Sequence, residues 1–452
     1  MVNYTLEKVA QIVNGKLLGD PNQRIHGVQF DSRLIQPGNL FVPIKGERVD
    51  GHNYIESAFN LGAVASFWEE NNENEKPAGN IIVVENSVKA LTALASQYRK
   101  DSDVKIIGVT GSSGKTSTKD IINSVISSKY NCHKTSGNQN NEIGVPMTLL
   151  NCGDEAVYNI VEMGISDFNE MEPLVEMVNP DITVICSIGP AHIAQFKTMD
   201  NIAIEKCKIN LHLGNGQCFY NYQAYHLNEV LTSMNLQNKA IGYGYDEGAD
   251  LIATDIIMSN SQTTFKVDGK QFSLPILGKH QVLNALSAIS VGRYCGLTDE
   301  EIQAGLNSVV LTPHRLQLRH IGKATIIDDT YNSNPLSCSA AIQTIVEYQT
   351  DDIKIAVLGD MLELGEHSAQ LHASLAEAAD FNCFEKVYLV GDMMSHLYDK
   401  LKDKGIDCYH FDNNDQVKDI LKEYLDKDCV MLFKASNGIH FTQLINDLEE
   451  SL

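Results

Sequence analysis

The chain has 452 residues, of which 43 % are hydrophobic and 21 % are charged, a composition that excludes long disorder and a disulfide-rich mini-scaffold. Its 35 Lys and Arg residues against 58 Asp and Glu residues give a formal net charge of −23. This excess of negative charge disfavours general binding to nucleic acids or to anionic membranes. At about 150 residues per domain, the length suggests three domains.

The ten cysteines are scattered along the chain, and no C-x-x-C pair is present. This spacing is typical of free, buried thiols in a reducing compartment rather than of a zinc or redox site. The first residues lack a basic segment followed by an apolar stretch, and nowhere do 18 apolar residues run together. We therefore expect a cytoplasmic protein without a signal peptide or a spanning helix.

Residues 1–100 are predicted to form a small mixed α/β domain. Apolar residues at helical spacing predict a first helix over 5–14, which Thr5 is placed to cap. Short strands are expected at 24–30, 40–44 and 63–68, and a helix at 55–61 precedes the last of these strands.

Residues 101–312 show alternating strand and helix patterns. Strands are predicted at 104–109, 158–163 and 182–187, and helices at 117–127, 170–177, 202–213 and 281–294. The stretch 251–274 alternates in polarity and favours antiparallel edge strands. This βαβ rhythm predicts a doubly wound, mostly parallel sheet.

Residues 313–452 repeat that rhythm. Strands are predicted at 324–328, 353–358, 386–390 and 430–434, and helices at 337–348, 368–381, 395–404 and 415–425. The pattern predicts a C-terminal Rossmann-like α/β domain. The fold class expected for the whole chain is therefore α/β in three domains, with limits near residues 100 and 312.

The strongest local motif lies where the first strand of the second region meets its first helix. It reads Gly108-Val109-Thr110-Gly111-Ser112-Ser113-Gly114-Lys115-Thr116. Glycines allow the backbone N–H groups to turn towards phosphate oxygens, Lys115 supplies a positive charge, and Thr116 can ligate Mg²⁺. The strict phosphate-loop pattern has glycine where this chain has Val109. A glycine- and serine-rich loop with a surface lysine is the alternative.

Two further candidates follow later strands of the same region. Glu162 lies at the end of the second of these strands, and His192 follows the third. Ligands of doubly wound sheets gather at the carboxyl ends of the strands, so both side chains are expected beside the phosphate loop, where they could hold a metal. Taken singly, Glu162 could instead be a buried ion-pair residue and His192 an ordinary loop histidine.

The loop, with Gly108 six residues before Gly114, resembles that of the Mur ligases, ATP-dependent amide-forming enzymes of peptidoglycan precursor synthesis; folylpolyglutamate synthetases share this loop and architecture. The resemblance covers essentially the whole chain. Segments 137–146, 327–335 and 358–365 look like those of the member that adds D-alanyl-D-alanine to UDP-N-acetylmuramoyl-tripeptide. Segment 278–285 is similar to the family's adenine-side helix start.

The resemblance implies roles for individual residues around ATP and its metal. The implied ATP-binding residues are Thr110, Gly111, Ser112, Ser113, Gly114, Lys115, Thr116, Ser117, Asn284, Arg315 and Asp329. The implied metal ligands are Thr116, Glu162, His192 and Lys206, the last as a CO₂-derived carbamate. Lys115, Glu162, His192, Lys206 and Arg315 form the implied catalytic set. Asp328 competes with Asp329 for the ribose, and Lys208 competes with Lys206 for the carbamate.

The resemblance also implies a set of residues that bind the two other substrates. The implied substrate-binding residues are Asp31, Ser32, Arg33, Gly46, Asp50, His52, Asn138, Asn140, Asn141, Asn332, Asn334 and Asp360. Three segments depart from the family. Lys434-Ala435-Ser436-Asn437 stands where Lys-Gly-Ser-Arg is expected, which puts contacts from that loop to the dipeptide in doubt. Ile193-Ala194-Gln195-Phe196 lacks the acidic residue often seen there, and Asn221-Tyr222-Gln223-Ala224 stands where Asn-x-Asp-Asp is usual.

The implied function is that of an ATP-dependent ligase that uses two Mg²⁺ ions. Residues 1–100 would hold the uridine nucleotide, 101–312 the ATP and 313–452 the dipeptide. We expect a monomer. The alternatives are a sibling ligase that adds a single amino acid or adds glutamate to folate, a nucleotide-driven switch protein, and a kinase of sugars or nucleosides.

Overall fold

Three sheets follow one another along the chain in the computed structural model, which describes residues 1–46, 49–73 and 75–451. Each sheet is mostly parallel and is flanked by helices. The α/β fold class with a central doubly wound sheet is therefore confirmed.

The N-terminal sheet has the strand order β1-β5-β4-β3-β2, and only β1 pairs antiparallel. Thr5 caps the first helix as predicted, accepting a hydrogen bond from the Lys8 N–H at 3.3 Å. The strands are shorter than predicted at 24–30 and 40–44. The elements are α1 (Leu6–Ile12), β1 (Lys16–Leu18), β2 (Val28–Gln29), β3 (Leu40–Phe41), α2 (Ile55–Asn60), β4 (Ala65–Glu69), β5 (Ile81–Val84) and α3 (Ser87–Lys100).

The middle sheet has nine strands in the order β14-β13-β12-β11-β10-β9-β6-β8-β7. Strands β12 to β14 pair antiparallel at one edge, as predicted for 251–274. Its strands are β6 (Lys105–Thr110), β7 (Cys132–Lys134), β8 (Tyr158–Glu162), β9 (Ile182–Ile185), β10 (Gln217–Asn221), β11 (Ala240–Gly244), β12 (Leu251–Met258), β13 (Thr263–Val267) and β14 (Lys270–Leu274). Its helices are α4 (Lys115–Ser127), α5 (Gly144–Leu150), α6 (Met171–Val178), α7 (Ile193–Phe196), α8 (Met199–Cys207), α9 (Leu227–Ser233), α10 (His280–Tyr294) and α11 (Asp299–Asn307).

The C-terminal sheet has six strands in the order β15-β16-β20-β17-β18-β19, and only β15 is antiparallel. Strands β15 and β19 and the last helix were not predicted. The strands are β15 (Gln317–Ile321), β16 (Ala324–Asp329), β17 (Ile353–Gly359), β18 (Lys386–Val390), β19 (Cys408–Phe411) and β20 (Cys429–Lys434). The helices are α12 (Pro335–Glu347), α13 (Ser368–Ala378), α14 (Met394–Asp403), α15 (Asn414–Lys422) and α16 (Phe441–Glu449).

One apolar cluster joins the N-terminal and middle sheets. It includes Leu94 of α3, Leu150 of α5 and Val175 of α6, all fully buried. The backbone is tied across the same junction, since the Val2 N–H donates to the Leu150 carbonyl at 2.8 Å. These two parts of the chain therefore share a continuous core.

Polar contacts join the middle and C-terminal sheets. The Arg315 guanidinium donates to the Thr116 hydroxyl of α4 at 2.8 Å. Further along the junction, Lys279 pairs with Glu347 at 2.8 Å. The C-terminal sheet has two apolar clusters, one of which includes Leu277 of the segment before α10, and Leu371 of α13 packs against the cluster of the first two sheets.

All ten cysteines are free, and each is buried or half-buried. Burial raises the pKa of the Cys132 and Cys338 thiols to about 11 and that of Cys186 to about 12. These thiols are therefore protonated and unreactive at neutral pH. Within the described residues, no helix combines the length and the apolar character needed to cross a membrane.

Candidate active site

A cavity of about 870 Å³ lies between the middle and C-terminal sheets. Its described lining residues run from Ser112 in the loop after β6 to Lys434 at the end of β20. It therefore opens at the carboxyl ends of parallel strands, where doubly wound sheets bind their ligands.

The phosphate-loop motif forms the turn from β6 into α4. Gly114 adopts φ +80°, a left-handed conformation that favours glycine, and a Cβ there would lie 3.1 Å from Asn284 Oδ1. Ser112 Oγ donates to the Gly189 carbonyl at 2.9 Å, and the Ser113 N–H donates to Ser187 Oγ at 2.8 Å. The loop is thus held in shape by the segment after β9.

Lys115 lies at the first position of α4, and Thr116 and Ser117 follow it along the cavity wall. The Lys115 ammonium donates to the Gly111 carbonyl at 2.8 Å, and burial lowers the pKa of Lys115. Thr110, at the end of β6, is buried, and its hydroxyl has no hydrogen-bond partner among the described residues. The loop presents a cation and a helix N-terminus to the same space, which is an arrangement that binds phosphate.

Glu162 lies on the cavity wall at the end of β8, almost completely buried. Its Oε1 accepts hydrogen bonds from Thr116 Oγ1 at 3.1 Å and from Asn140 Nδ2 at 2.7 Å. Arg315 Nη2, which comes from the C-terminal side, donates to the same Thr116 hydroxyl at 2.8 Å. The structure therefore brings these four predicted residues together.

His192 reaches the cavity from the loop before α7, with a left-handed backbone (φ +56°). Its Nδ1 lies 3.3 Å from Glu363 Oε2, which belongs to the C-terminal side of the cavity. Burial lowers the pKa of His192, an effect that the Glu363 carboxylate opposes and the Lys206 and Lys115 cations reinforce.

Lys206 and Lys208 of the α8 region have opposite environments. Lys206 is almost completely buried, and its pKa lies well below the usual range because of burial and the nearby Lys115 cation. Lys208 is paired with Glu172 and Glu205, each at 2.8 Å, and despite its own burial these partners raise its pKa. Lys206 is buried with none of the described carboxylates within ion-pair distance, whereas Lys208 is paired twice, so Lys206 is the better fit to a carbamate.

The two neighbouring aspartates at the end of β16 lie in different surroundings. Asp328 is fully buried, with Oδ2 2.7 Å from His314 Nδ1, and its Oδ1 accepts from the Thr330 hydroxyl. Asp329 lines the cavity, and its Oδ2 lies 2.9 Å from the buried Lys434 ammonium. Of the two, Asp329 is the one that can reach a ligand there.

The remaining predicted residues divide into three groups. The cavity lining includes Asn138, Asn140, Asn141, Asn284, Asn332 and Asn334. Asp360 lies outside this lining and accepts from the N–H groups of Met393 and Met394, at 3.2 and 2.8 Å, at the start of α14. Its predicted contact with substrate stays a prediction, and the structure gives it a capping role.

The third group lies in the N-terminal part of the chain, outside this cavity. Asp31 caps the short turn Ser32–Leu34 and pairs with the exposed Arg33 at 2.6 Å. Asp50 accepts from the His52 N–H, and its Oδ1 lies 2.7 Å from His52 Nδ1, while the His52 ring packs edge-on against Trp68. The Gly46 N–H donates to the Val49 carbonyl at 2.9 Å.

Sequence reasoning missed two buried lysines of the site. Lys434 was noted only as part of a variant segment, yet it is 2 % exposed and pairs with Asp329. Lys119, one helical turn after Lys115, is fully buried and donates to the carbonyls of Thr135 and Gly137 at 2.9 and 3.1 Å. Spacing from Lys115 is the only signal in the sequence that points to Lys119.

Three family models match the chain in succession. The model described as "Mur ligase family, catalytic domain" matches residues 24–99. The model "Mur ligase middle domain" matches 109–292, and "Mur ligase, glutamate ligase domain" matches 314–437.

Individual proteins match along the whole length. The chain is 34 % identical to the UDP-N-acetylmuramoyl-tripeptide--D-alanyl-D-alanine ligase of Bacillus subtilis strain 168, over 100 % of this chain and 99 % of the relative. It is similar to a crystal structure of MurF from Acinetobacter baumannii, with a TM-score of 0.89, 28 % identity and coverage of 100 % and 99 %. It is also similar to a MurF ligase from Thermotoga maritima in complex with ADP, with a TM-score of 0.77, 27 % identity and coverage of 94 % and 97 %.

Proposed function

This chain belongs to the Mur ligase family, and on that premise we propose that it joins D-alanyl-D-alanine to UDP-N-acetylmuramoyl-tripeptide in peptidoglycan precursor synthesis. The observation that carries the proposal is 34 % identity along the full length to a ligase of that name. The cavity supports it, since one wall carries the phosphate loop and the other carries Arg315, Asp329 and Lys434.

The protein uses ATP, and its phosphates fit the loop after β6. Lys115, whose ammonium donates to the Gly111 carbonyl, and Arg315, which donates to the Thr116 hydroxyl, lie on the two sides of the cavity, so both can neutralise phosphate oxygens. Asn284 lies beside Gly114, in position for the adenine, and Asp329 in position for the ribose. In this assignment the nucleotide bridges the middle and C-terminal sheets.

The donor set around Glu162 fits Mg²⁺. A hydroxyl and a buried carboxylate with one oxygen lacking a hydrogen-bond partner are typical of a Mg²⁺ site completed by phosphate oxygens and water. No cluster of three or more His, Cys, Asp or Glu side chains that could hold a metal is found among the described residues. When bound, Mg²⁺ would polarise the γ-phosphate and offset the charge that develops on it.

A second Mg²⁺ site would use Glu162, His192 and a carbamate on Lys206. Carbamylation converts a buried cation into an anion with two oxygen ligands. Lys206 supports this assignment because none of the described carboxylates lies within ion-pair distance of its ammonium, whereas Lys208 is paired twice.

The reaction needs two steps because a carboxylate is a poor acyl donor. The tripeptide carboxylate attacks the γ-phosphate of ATP, which gives an acyl phosphate and ADP. The amine of D-alanyl-D-alanine then attacks the acyl carbon, and phosphate leaves as the amide forms. Lys115 and Arg315 stabilise negative charge on the transferring phosphate in both steps, while Asn138, Asn140 and Asn141 orient the tripeptide end.

The three parts of the chain take separate roles in this proposal. Residues 1–100 hold the uridine nucleotide through Asp31, Arg33 and His52, residues 101–312 hold ATP, and residues 313–452 hold the dipeptide. The cytoplasmic location and the monomeric state stay predictions.

The test measures phosphate release from ATP by the purified protein, with the UDP-tripeptide and D-alanyl-D-alanine omitted in turn. We expect release only when both are present, together with the amide product in mass spectrometry. Release without the dipeptide would instead support a nucleotide-driven switch, and dependence on glutamate with a folate would support the sibling ligase. Transfer of phosphate to a hydroxyl with no amide product would support the kinase.

A further inference from the structure

Lys119 is a buried cation that the proposed reaction does not use. It lies on α4, four residues after Lys115, and its side chain is 0 % exposed. A buried ammonium is costly unless partners surround it, so its surroundings show what it stabilises.

Two of these partners are backbone carbonyls. The Lys119 ammonium donates to Thr135 at 2.9 Å and to Gly137 at 3.1 Å. Both carbonyls lie directly before the asparagine-rich segment whose Asn138, Asn140 and Asn141 side chains line the cavity. Lys119 therefore fixes the start of that segment to the helix of the phosphate loop.

The other side of Lys119 faces two buried carboxylates, Asp120 Oδ1 at 3.6 Å and Glu162 Oε2 at 3.7 Å, and the second of these belongs to the proposed Mg²⁺ site. The two oxygens of the Glu162 carboxylate are used differently: Oε1 accepts from Thr116 and Asn140, while Oε2 has no hydrogen-bond partner among the described residues and lies 3.7 Å from the Lys119 ammonium. Thr135 links the same groups again, because its hydroxyl accepts from the Glu162 N–H at 2.9 Å. Glu162 is thus oriented by Lys119 without sharing a hydrogen bond with it.

We propose that Lys119 is a positioning residue that holds Glu162 and the asparagine-rich segment in the geometry required to bind Mg²⁺ with the nucleotide. This inference rests on the proposed assignment of the cavity to ATP and Mg²⁺. Lys119 acts through Glu162 and touches neither nucleotide nor substrate.

The test is ADP binding by calorimetry, once with Mg²⁺ and once with EDTA. Lys119→Met weakens binding about 10- to 100-fold with Mg²⁺, the usual effect of removing a group that orients a metal ligand, and leaves binding in EDTA unchanged. Lys119→Gln keeps a donor for the two carbonyls without the charge, so it folds better than Lys119→Met and shows the same loss. An equal loss in Mg²⁺ and in EDTA, or no loss for either variant, overturns the proposal.

The matched control is Lys129→Met. Lys129 lies just after α4, is 34 % exposed and pairs at 3.1 Å with Glu301, which is 35 % exposed. We expect ADP affinity within about twofold of the unmodified protein, since partly exposed pairs contribute little.

A second measurement asks whether Lys119 acts through Glu162. In a Glu162→Gln background, Lys119→Met should change Mg²⁺-dependent ADP binding by less than about twofold, because the shared partner is already removed. If the effects of Lys119→Met and Glu162→Gln on Mg²⁺-dependent ADP binding simply add, the proposal is overturned. ADP binding does not depend on which amide is made, so a protein that binds ADP but forms no amide refutes the proposed function and leaves this test intact.

Discussion

The two junctions of the molecule are built differently. The N-terminal and middle sheets share one apolar cluster that contains Leu94, Leu150 and Val175. The middle and C-terminal sheets meet mainly through polar contacts around the cavity, with only local apolar contacts of Leu277 and Leu371 among the described residues. Apolar burial is non-directional and stabilises one packed arrangement, while exposed or half-exposed polar pairs contribute little each and can be exchanged for ligand contacts. The first junction therefore suits a fixed scaffold, and the second suits a cleft that closes on substrates.

The largest expected effect lies at the polar junction and concerns activity alone. Lys115→Ala should lower substrate-dependent phosphate release by about 10²- to 10³-fold, because a cation at the transferring phosphate is lost. The urea midpoint of unfolding should stay unchanged. Lys105→Ala, at the opposite end of β6 and exposed, is the control that keeps activity. Substantial activity in Lys115→Ala would remove the phosphate-loop assignment.

The next effect should appear at the apolar junction and concern stability. Leu94→Ala should lower the free energy of unfolding by about 2–5 kcal/mol, because it empties a fully buried site in the shared cluster. Urea unfolding followed by circular dichroism should then show the N-terminal and middle parts unfolding together. Leu61→Ala, which is 49 % exposed, should cost far less. Separate unfolding of the two parts would contradict the conclusion that the N-terminal and middle sheets share one core.

A smaller effect on activity is expected at Lys206. Lys206→Ala should lower the rate about 10- to 100-fold through loss of the proposed carbamate ligand. Short carboxylic acids such as formate or acetate should restore part of the rate in a steady-state assay, since they supply the missing oxygens. Lys208→Ala should stay active. If Lys208→Ala instead loses activity and short carboxylic acids restore it, the carbamate is assigned to Lys208.

The smallest effect should come from a single polar link. Glu363→Gln removes the His192 ion pair, and because the Glu363 side chain is 63 % exposed, solvent screens the interaction. The free energy of unfolding should change by less than about 1 kcal/mol. A loss as large as that of Leu94→Ala would show that the polar junction is as rigid as the apolar one.

The sequence predicts strands β6, β8 and β9 of the middle sheet and β16, β17, β18 and β20 of the C-terminal sheet because each is a short, largely apolar run. The parallel strands β7, β10, β11 and β19 were not predicted. Strand β18 was placed with its observed limits, Lys386–Val390. Strand β15 was missed because it is antiparallel at a sheet edge and mostly exposed, so the run Gln317–Ile321 carries polar side chains. The strands at 24–30 and 40–44 came out shorter because loops there are also apolar and buried.

The site is predictable where the chemistry is carried by local spacing. Lys115, Thr116 and Glu162 follow from the ends of strands, and the structure brings them together. The choice between Asp328 and Asp329 depends on which neighbour faces the cavity, and the sequence leaves that open. Lys119 and Lys434 were not predicted because a buried lysine cannot be told from an exposed one in the sequence until its partners in the fold are known.

The reactivity of the free cysteines reports when the parts of the molecule around them open. Six lie between Cys132 and Cys295 and four between Cys338 and Cys429, and residues 1–100 contain none. Seven of the ten are buried and several have a raised pKa, so an alkylating reagent reacts with those seven thiols only when their surroundings open. Alkylation of each cysteine can be measured by mass spectrometry of the peptides. The rates would therefore show separately how fast the middle and C-terminal sheets open, without any introduced label.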